Sequence, residues 1–144
     1  MKKFLLAAMV VASLAGCASV NMGSPEKDAA AKQFATTPGK AAVYVYRNET
    51  MGAAVSMDVS LDGASIGQTG AKTFLYKEVT PGKHTLVSKA ENTDTLQFDA
   101  VAGAITYVWQ EVKMGVLSAR SKLKLVSETE GQKGVRESKL AETR

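Results

Sequence analysis

The sequence contains one cysteine and one histidine among its 144 residues. Disulfide frameworks need paired cysteines, and zinc sites are built from several cysteine or histidine side chains. Nucleophilic hydrolysis needs a histidine beside an activated nucleophile and oriented by a carboxylate, and the sequence alone identifies no such partners for His84. We therefore interpret His84 as a structural residue beside a turn. We predict a protein that is not an enzyme and binds no metal or cofactor; a hydrolase that uses His84 is the alternative.

The sequence also lacks a long apolar run. The run from Phe4 to Ala15 holds only twelve residues, whereas a transmembrane helix needs about 20. Two lysines precede this run and small residues follow it, which is typical of a secretory signal. The four residues Leu14-Ala15-Gly16-Cys17 resemble the bacterial lipobox, so we predict cleavage between Gly16 and Cys17.

The lipobox resemblance implies a membrane anchor. It implies that Cys17 carries a diacylglyceryl thioether and, after cleavage, an N-acyl chain; an incidental cysteine after an ordinary signal is the alternative. In bacteria with two membranes an aspartate after the cysteine usually causes retention at the inner membrane, and this chain has Ala18. We therefore predict a cell-envelope protein in the outer membrane that faces the periplasm. Residues 1–16 are the predicted signal peptide, 17–39 a lipid-anchored tether, and 40–144 the folded domain.

The charge balance gives no support for nucleic-acid binding. The formal net charge of +4 falls to +2 once Lys2 and Lys3 leave with the signal. The remaining basic feature is an alternating stripe of Arg120, Lys122 and Lys124. Such residues protect an exposed strand edge from pairing with other chains, or they contact anionic envelope polymers or lipid phosphates.

Period-two alternation dominates the chain from Lys40 onward. Val55, Met57, Val59 and Leu61 alternate with polar residues, and Asp62-Gly63 then supplies a tight hairpin turn. The predicted strands are 42–46, 55–61, 64–68, 72–78, 83–90, 95–101, 105–113 and 117–126. Strands at this spacing, separated by turn residues, predict an all-β fold, an antiparallel β-sandwich of about seven or eight strands.

Short helices are predicted at both ends of the domain. Ser24 is a candidate N-cap with Pro25 at the first helical position, and Phe34 is expected to dock on the domain. A mobile tether without a helix is the alternative.

At the C-terminal end, Ser127 and Glu130 match a capping box, and residues 134–143 could continue a helix that docks through Val135 and Leu140. Two glycines in this segment cost about 1 kcal/mol each relative to alanine, and a frayed tail is the alternative.

Aromatic side chains are the remaining candidates for a binding surface. Their period-two spacing favours core packing, and Trp109 and Tyr76 are the two most worth checking for exposure. With the basic stripe, they could form a site for a partner protein or for peptidoglycan. The other aromatic residues of this set are Tyr44, Tyr46, Phe74, Phe98 and Tyr107.

Several motifs together resemble one bacterial family. They are Gly39-Lys40-Ala41 with Val43-Tyr44-Val45-Tyr46-Arg47, Val59-Ser60-Leu61-Asp62-Gly63 with Ile66-Gly67, Val79 to Leu86, and Lys122-Leu123-Lys124-Leu125-Val126. Their order resembles the lipoproteins grouped as the domain of unknown function 2846 (DUF2846) family, over about residues 38–140. The turn pattern is also similar to PEGA-type β-sandwich modules.

The resemblance implies an exported, lipid-anchored β-sandwich without an established activity. Many family members have a cysteine where this chain has Ser138, and Gly-Arg-Pro where it has Ala119-Arg120-Ser121. Our functional hypothesis is a non-enzymatic binding or structural module of the envelope, and a peptidoglycan-binding module is the alternative.

Overall fold

A computed structural model describes residues 20–144. The predicted signal peptide, the predicted cleavage site at Gly16 and the predicted lipidation site Cys17 lie outside the described residues. The elements in chain order are α1 (Pro25–Ala31), β1 (Ala41–Arg47), β2 (Met57–Leu61), β3 (Ala64–Thr69), β4 (Thr73–Val79), β5 (Gly82–Lys89), β6 (Thr93–Ala100), β7 (Ile105–Met114), β8 (Ala119–Val126), α2 (Glu128–Arg136) and β9 (Lys139–Leu140).

The strands form two sheets, which confirms the predicted all-β sandwich. One sheet has the order β8-β7-β1-β4-β9, and the other has the order β3-β2-β5-β6. Most strand pairs are antiparallel, as predicted, and two are parallel: β1 with β7 and β4 with β9. β7 runs in the same direction as β1. Between these two strands, the chain crosses to the second sheet and returns to the first. Such pairings depend on the path of the chain and are not encoded in local alternation.

The main core lies between the two sheets. All seven residues of β1 are buried, as expected of a central strand covered on both faces. β2 buries Met57, Val59 and Leu61 and leaves the residues between them half-buried, which confirms the predicted alternation. The principal residues of this core are Val43, Val45, Val59, Leu75, Leu86, Val108 and Leu123.

A second apolar layer covers the outer face of the five-stranded sheet. Tyr44, Tyr46, Phe74 and Tyr107 form it together with Ala31 of α1, Val135 of α2 and Leu140 of β9. A Cβ atom at Gly131 would overlap the Tyr107 ring, and one at Gly134 would overlap the Tyr46 ring. The two glycines therefore let α2 lie close against the aromatic rings, which offsets their low helix propensity.

The N-terminal helix forms as predicted. Ser24 Oγ accepts a hydrogen bond from the Lys27 N–H at 3.2 Å, and Phe34 packs against Tyr44 and Tyr107. Met22 pairs with Ala141 in an isolated antiparallel bridge. Within the predicted tether, the segment from Met22 to Phe34 therefore packs against the sandwich.

The C-terminal segment is only partly helical. Ser127 Oγ accepts from the Glu130 N–H at 3.2 Å, which confirms the predicted cap. The predicted continuation to Thr143 is wrong, because α2 ends at Arg136 and the Lys139 N–H then donates to the Lys72 carbonyl. The Ala141 N–H also donates to the Phe74 carbonyl at 2.9 Å, so the backbone of this segment finds its partners in pairing with β4.

Residues 20–144 contain both sheets, both helices and three apolar clusters. A chain that begins at Val20 therefore carries every contact described here and is expected to fold on its own. Neither helix in this part of the chain has the length and apolar character that spanning a bilayer requires.

Candidate functional site

The predicted basic stripe lies on an edge strand. β8 is the outermost strand of the five-stranded sheet, and Arg120 and Lys122 are exposed on its outer face. This position agrees with the interpretation that the stripe protects an edge. Lys124 differs from the other two, because its Nζ lies 2.7 Å from Glu111 Oε2 and 5.4 Å from the centre of the Trp109 ring. The Lys124 hydrogen bond lowers the pKa of Glu111.

The five predicted surface residues do not form one site. Trp109 and Lys124 line a groove of about 400 Å³ between β7, β8 and α2, which we call the Trp109 groove. Trp109 is half-buried, and its Nε1 has no hydrogen-bond partner in the described part of the chain. Tyr76 lies on β4, on the other side of the central strand, and faces a different cavity.

That second cavity, which we call the α1 pocket, has a volume of about 470 Å³. It opens between α1, β4 and the C-terminal segment. Its apolar lining includes Ala30, Ala31, Tyr44, Tyr76 and Leu140, and its charged lining consists of Lys27, Lys77, Glu78, Glu142 and Arg144. The volume lies within the range of small-molecule sites.

Hydrogen bonds from both ends of the chain hold the helical wall of this pocket in place. Asp28 Oδ1 accepts from the Leu140 N–H at 2.8 Å, and Lys32 Nζ donates to the Ser138 carbonyl at 2.7 Å. Asp28 Oδ2 also pairs with Lys32 Nζ at 2.9 Å. The α1 pocket is thus pre-formed, because its wall is fixed by polar bonds in addition to apolar contacts.

The hydroxyl of Tyr44 is committed to this wall. It donates to the Ala31 carbonyl at 2.6 Å, and burial raises the pKa of Tyr44 well above its ordinary value of 10.0. The hydroxyl is therefore a structural donor that joins β1 to α1, rather than an acid or base for catalysis.

His84 has a carboxylate partner that the sequence did not reveal. Its Nδ1 lies 2.6 Å from Asp62 Oδ2, and its Nε2 lies 2.6 Å from the Thr80 carbonyl oxygen. Both partners are acceptors, so the imidazolium satisfies both bonds. The hydrogen bond that His84 donates to Asp62 raises the pKa of His84 and lowers the pKa of Asp62. Because Nε2 is bound to backbone, this pair has no nitrogen left for activating a nucleophile.

Residues 63–67 read Gly-Ala-Ser-Ile-Gly, which matches the spacing of a nucleophile elbow. That elbow requires a sharp turn from a strand into a helix, whereas Ser65 lies at the start of β3 in a hairpin. Its hydroxyl donates to Asp58 Oδ1 at 2.9 Å and accepts from Arg144 Nη1 at 3.0 Å. The motif therefore serves hairpin geometry here.

Among residues 20–144 no three histidine, cysteine, aspartate or glutamate side chains are grouped so that they could hold a metal ion. The α1 pocket was not predicted from the sequence, since it joins segments more than 100 residues apart. The capping signal at Ser24 predicted α1, but it did not predict that α1 forms a wall of this pocket.

Comparison with known proteins gives a family but no activity. The sequence profile described as "Protein of unknown function (DUF2846)" matches residues 37–122. A relative from Haemophilus influenzae, described as an uncharacterized protein, is 34% identical over 125 residues, which are 85% of this chain and 74% of the relative. Function therefore has to be argued from the geometry.

Proposed function

The chain belongs to the DUF2846 family, and on that basis we propose that it is a lipid-anchored, non-enzymatic binding module of the cell envelope. The family resemblance predicted from the sequence is confirmed, and the lipoprotein assignment stays a prediction. The observation that carries the proposal is the α1 pocket, a pre-formed and mostly apolar cavity beside the segment that leads toward Cys17.

Binding fits the α1 pocket better than catalysis. Its polar lining residues are lysine, arginine, glutamate, threonine and two tyrosines, and the hydroxyl of one tyrosine, Tyr44, donates to a backbone carbonyl. The Asp62–His84 pair, which is joined by a charge-assisted hydrogen bond, does not line the pocket. A catalytic site would bring a nucleophile and a base within hydrogen-bond distance of each other.

The ligand class follows from the lining. Ala30, Ala31 and Leu140 offer apolar contact without hydrogen-bonding groups, which suits an alkyl chain. Lys27 lies at the edge of the pocket and makes no ion pair in the described part of the chain. We therefore assign the pocket to a single-chain amphiphile with an anionic head group that Lys27 binds.

Filling the pocket tests this assignment. Lysophosphatidylglycerol binding would be measured by calorimetry with Ala30→Trp, which projects an indole into the pocket. Ala29→Trp is the matched control, because Ala29 is exposed on the same helix and is not part of the pocket lining. We expect Ala30→Trp to abolish binding, Ala29→Trp to retain it, and Lys27→Ala to weaken it about tenfold. Equal binding by both tryptophan variants would refute the pocket as the site.

The cellular location is tested separately. Cys17→Ser removes the acceptor for the predicted acyl chains, so we expect the protein to leave the membrane fraction. Ala18→Asp should move it from the outer to the inner membrane in a bacterium with two membranes. Unchanged fractionation of both variants would refute the anchor without bearing on the pocket.

A second candidate function is binding of peptidoglycan in the Trp109 groove. Its specific support is the buried Trp109 Nε1 without a described partner, next to Lys124 and Lys133. The partly exposed indole ring suits the apolar face of a sugar. In pull-downs with purified sacculi, Trp109→Ala should lose binding while Tyr76→Ala, on the other side of the sheet, retains it.

A further inference from the structure

The connection between β7 and β8 exposes apolar side chains. Met114 is 76% exposed, Val116 is 89% exposed and Leu117 is 93% exposed. We call residues 114–118 the hairpin tip. Single exposed apolar residues are common on protein surfaces, but three within four positions at the end of a hairpin form a patch that calls for a partner.

The hairpin tip is held in one conformation. Glu91 Oε1 accepts from the Val116 N–H at 3.1 Å, and Glu91 Oε2 accepts from the N–H groups of Leu117 at 3.3 Å and Ser118 at 3.0 Å. These hydrogen bonds lower the pKa of Glu91, and the one from the Ser118 N–H has the largest effect. The Gly115 N–H donates to the Ser118 carbonyl at 2.7 Å, and a Cβ at Gly115 would overlap the Glu91 carboxylate. The three apolar side chains are therefore exposed on a turn whose backbone is held by hydrogen bonds.

The charges next to the hairpin tip are positive. Lys113, Arg120 and Lys122 are exposed on the outer face of β7 and β8. The carboxylate between them, Glu111, is engaged by Lys124, and the carboxylate of Glu91 is engaged by three N–H groups. Lys113 also lies 3.7 Å from Glu111 Oε2, so an approaching surface meets apolar side chains first and, behind them, Arg120 and Lys122, which make no ion pair in the described part of the chain.

We infer that the hairpin tip inserts into the head-group region of an anionic lipid bilayer. The three apolar side chains reach the acyl boundary, and Arg120 and Lys122 bind lipid phosphates. The tip is convex and small, whereas a stable protein–protein contact needs about 800 Å² from each partner. A fluid bilayer needs only apolar contact and charge attraction, so it suits this shape better than a protein surface does.

This contact goes beyond the proposed anchor and ligand site. The segment from Val20 docks at the β9 edge of the five-stranded sheet, whereas the hairpin tip lies at the β8 edge, four strand spacings or roughly 20 Å away. An anchor at one edge and an inserted tip at the other would fix how the sandwich lies on the membrane.

Vesicle binding by a chain that begins at Val20, and so carries no acyl anchor, tests the inference. We expect flotation with vesicles of phosphatidylglycerol and phosphatidylcholine, and little with phosphatidylcholine alone. The double variant Val116→Asp/Leu117→Asp should bind at least about tenfold more weakly. Val101→Asp is the matched control, since Val101 is 63% exposed in a different turn, and it should bind like the wild type.

The charge contribution is tested in the same assay. Arg120→Ala and Lys122→Ala should each weaken binding about fivefold, while Lys83→Ala on the other sheet has no effect. The double aspartate variant at Val116 and Leu117 should still bind lysophosphatidylglycerol in calorimetry, which separates this contact from the α1 pocket, because neither residue lines that pocket. The inference is overturned if the wild type does not float, if the double aspartate variant floats equally, or if the tip instead mediates a dimer that Leu117→Asp dissolves. Matching thermal unfolding of all variants ensures that folding is not what changes.

Discussion

The two ends of the sandwich are each organised by a carboxylate, and they differ in what that carboxylate holds. At the end where β2 turns into β3, Asp62 accepts from the Thr85 N–H and from His84, and the turn presents polar groups. At the opposite end Glu91 accepts from three successive N–H groups, and the turn presents Met114, Val116 and Leu117. Hydrogen bonds to a carboxylate thus hold a polar turn at the Asp62 end and an apolar turn at the Glu91 end.

The ends also differ in their interior. Near the hairpin tip the space between the sheets contains a polar chain, in which Thr69 donates to Gln110, Gln110 to Ser88, and Ser121 to Ser88. The fully buried Arg47 lies at this end as well. The interior toward the other end is apolar, with Leu86 and Phe98 among its members. A polar interior fixes side-chain positions by the direction of hydrogen bonds as well as by shape, so the two ends differ in what orders their interiors.

The largest expected effect comes from Arg47. Its guanidinium donates to the carbonyls of Gly52 at 2.6 Å, Val55 at 2.7 Å and Thr69 at 3.3 Å, and burial lowers its pKa. Arg47→Met leaves these acceptors without a donor, so we expect a loss of about 3 kcal/mol in the free energy of unfolding. Urea unfolding measures it.

Arg47→Lys is the control for this prediction. It keeps the charge and part of the donor set, and it should lose less stability than the methionine variant. A methionine variant within 0.5 kcal/mol of the wild type, on the order of an ordinary surface substitution, would contradict a structural role for the buried arginine.

A glycine-to-alanine change at each turn sharpens the comparison further. Gly63 has a φ of +86° with open space around it, so Gly63→Ala costs about 1 kcal/mol through backbone strain alone. Gly115→Ala instead drives a methyl group into the Glu91 carboxylate. We expect about tenfold faster hydrogen exchange at the amides of residues 116–118 in Gly115→Ala only. Equal exchange in both variants would show that Glu91 does not hold the tip.

The sequence predicted the strands well because alternation and turn chemistry are local. Met57, Val59 and Leu61 show their buried face directly, and Asp62-Gly63 shows the turn. The tip was misread for the same reason. Leu117 is apolar and was assigned to a strand that begins at Ala119, because alternation cannot distinguish an apolar residue that packs from one that is displayed.

The candidate site could be predicted only in fragments. Ser24 and Pro25 indicated α1, and Tyr76 was named as a candidate, but the pocket needs the C-terminal segment to lie beside both. Likewise, Glu91 reaches the tip across 25 to 27 residues, and Asp62 reaches His84 across 22. These contacts follow from the order of strands in the sheets, which local patterns do not determine.

The smallest expected effect is the pH dependence of the stability that the Asp62–His84 pair contributes. The pKa of His84 is raised from its ordinary 6.5, so the stability it contributes is present below pH 6.5 and is lost as the pH rises through the raised value. The pKa of Asp62 is lowered from its ordinary 3.8, so its contribution is present above pH 3.8 and is lost as the pH falls through the lowered value. The difference in unfolding free energy between the wild type and Asp62→Asn should therefore be greatest between these two pH values and shrink on the alkaline side.

The single histidine makes this measurement direct. One imidazole resonance titrates in the NMR spectrum, and Asp62→Asn should return its midpoint toward 6.5. Glu91→Gln at the other end should leave both that midpoint and the pH profile unchanged, because Glu91 binds backbone N–H groups and not the imidazole. If instead Glu91→Gln moved the His84 midpoint as far as Asp62→Asn does, the two ends would be coupled through the sandwich. The distinction between the Asp62 end and the Glu91 end would then fail.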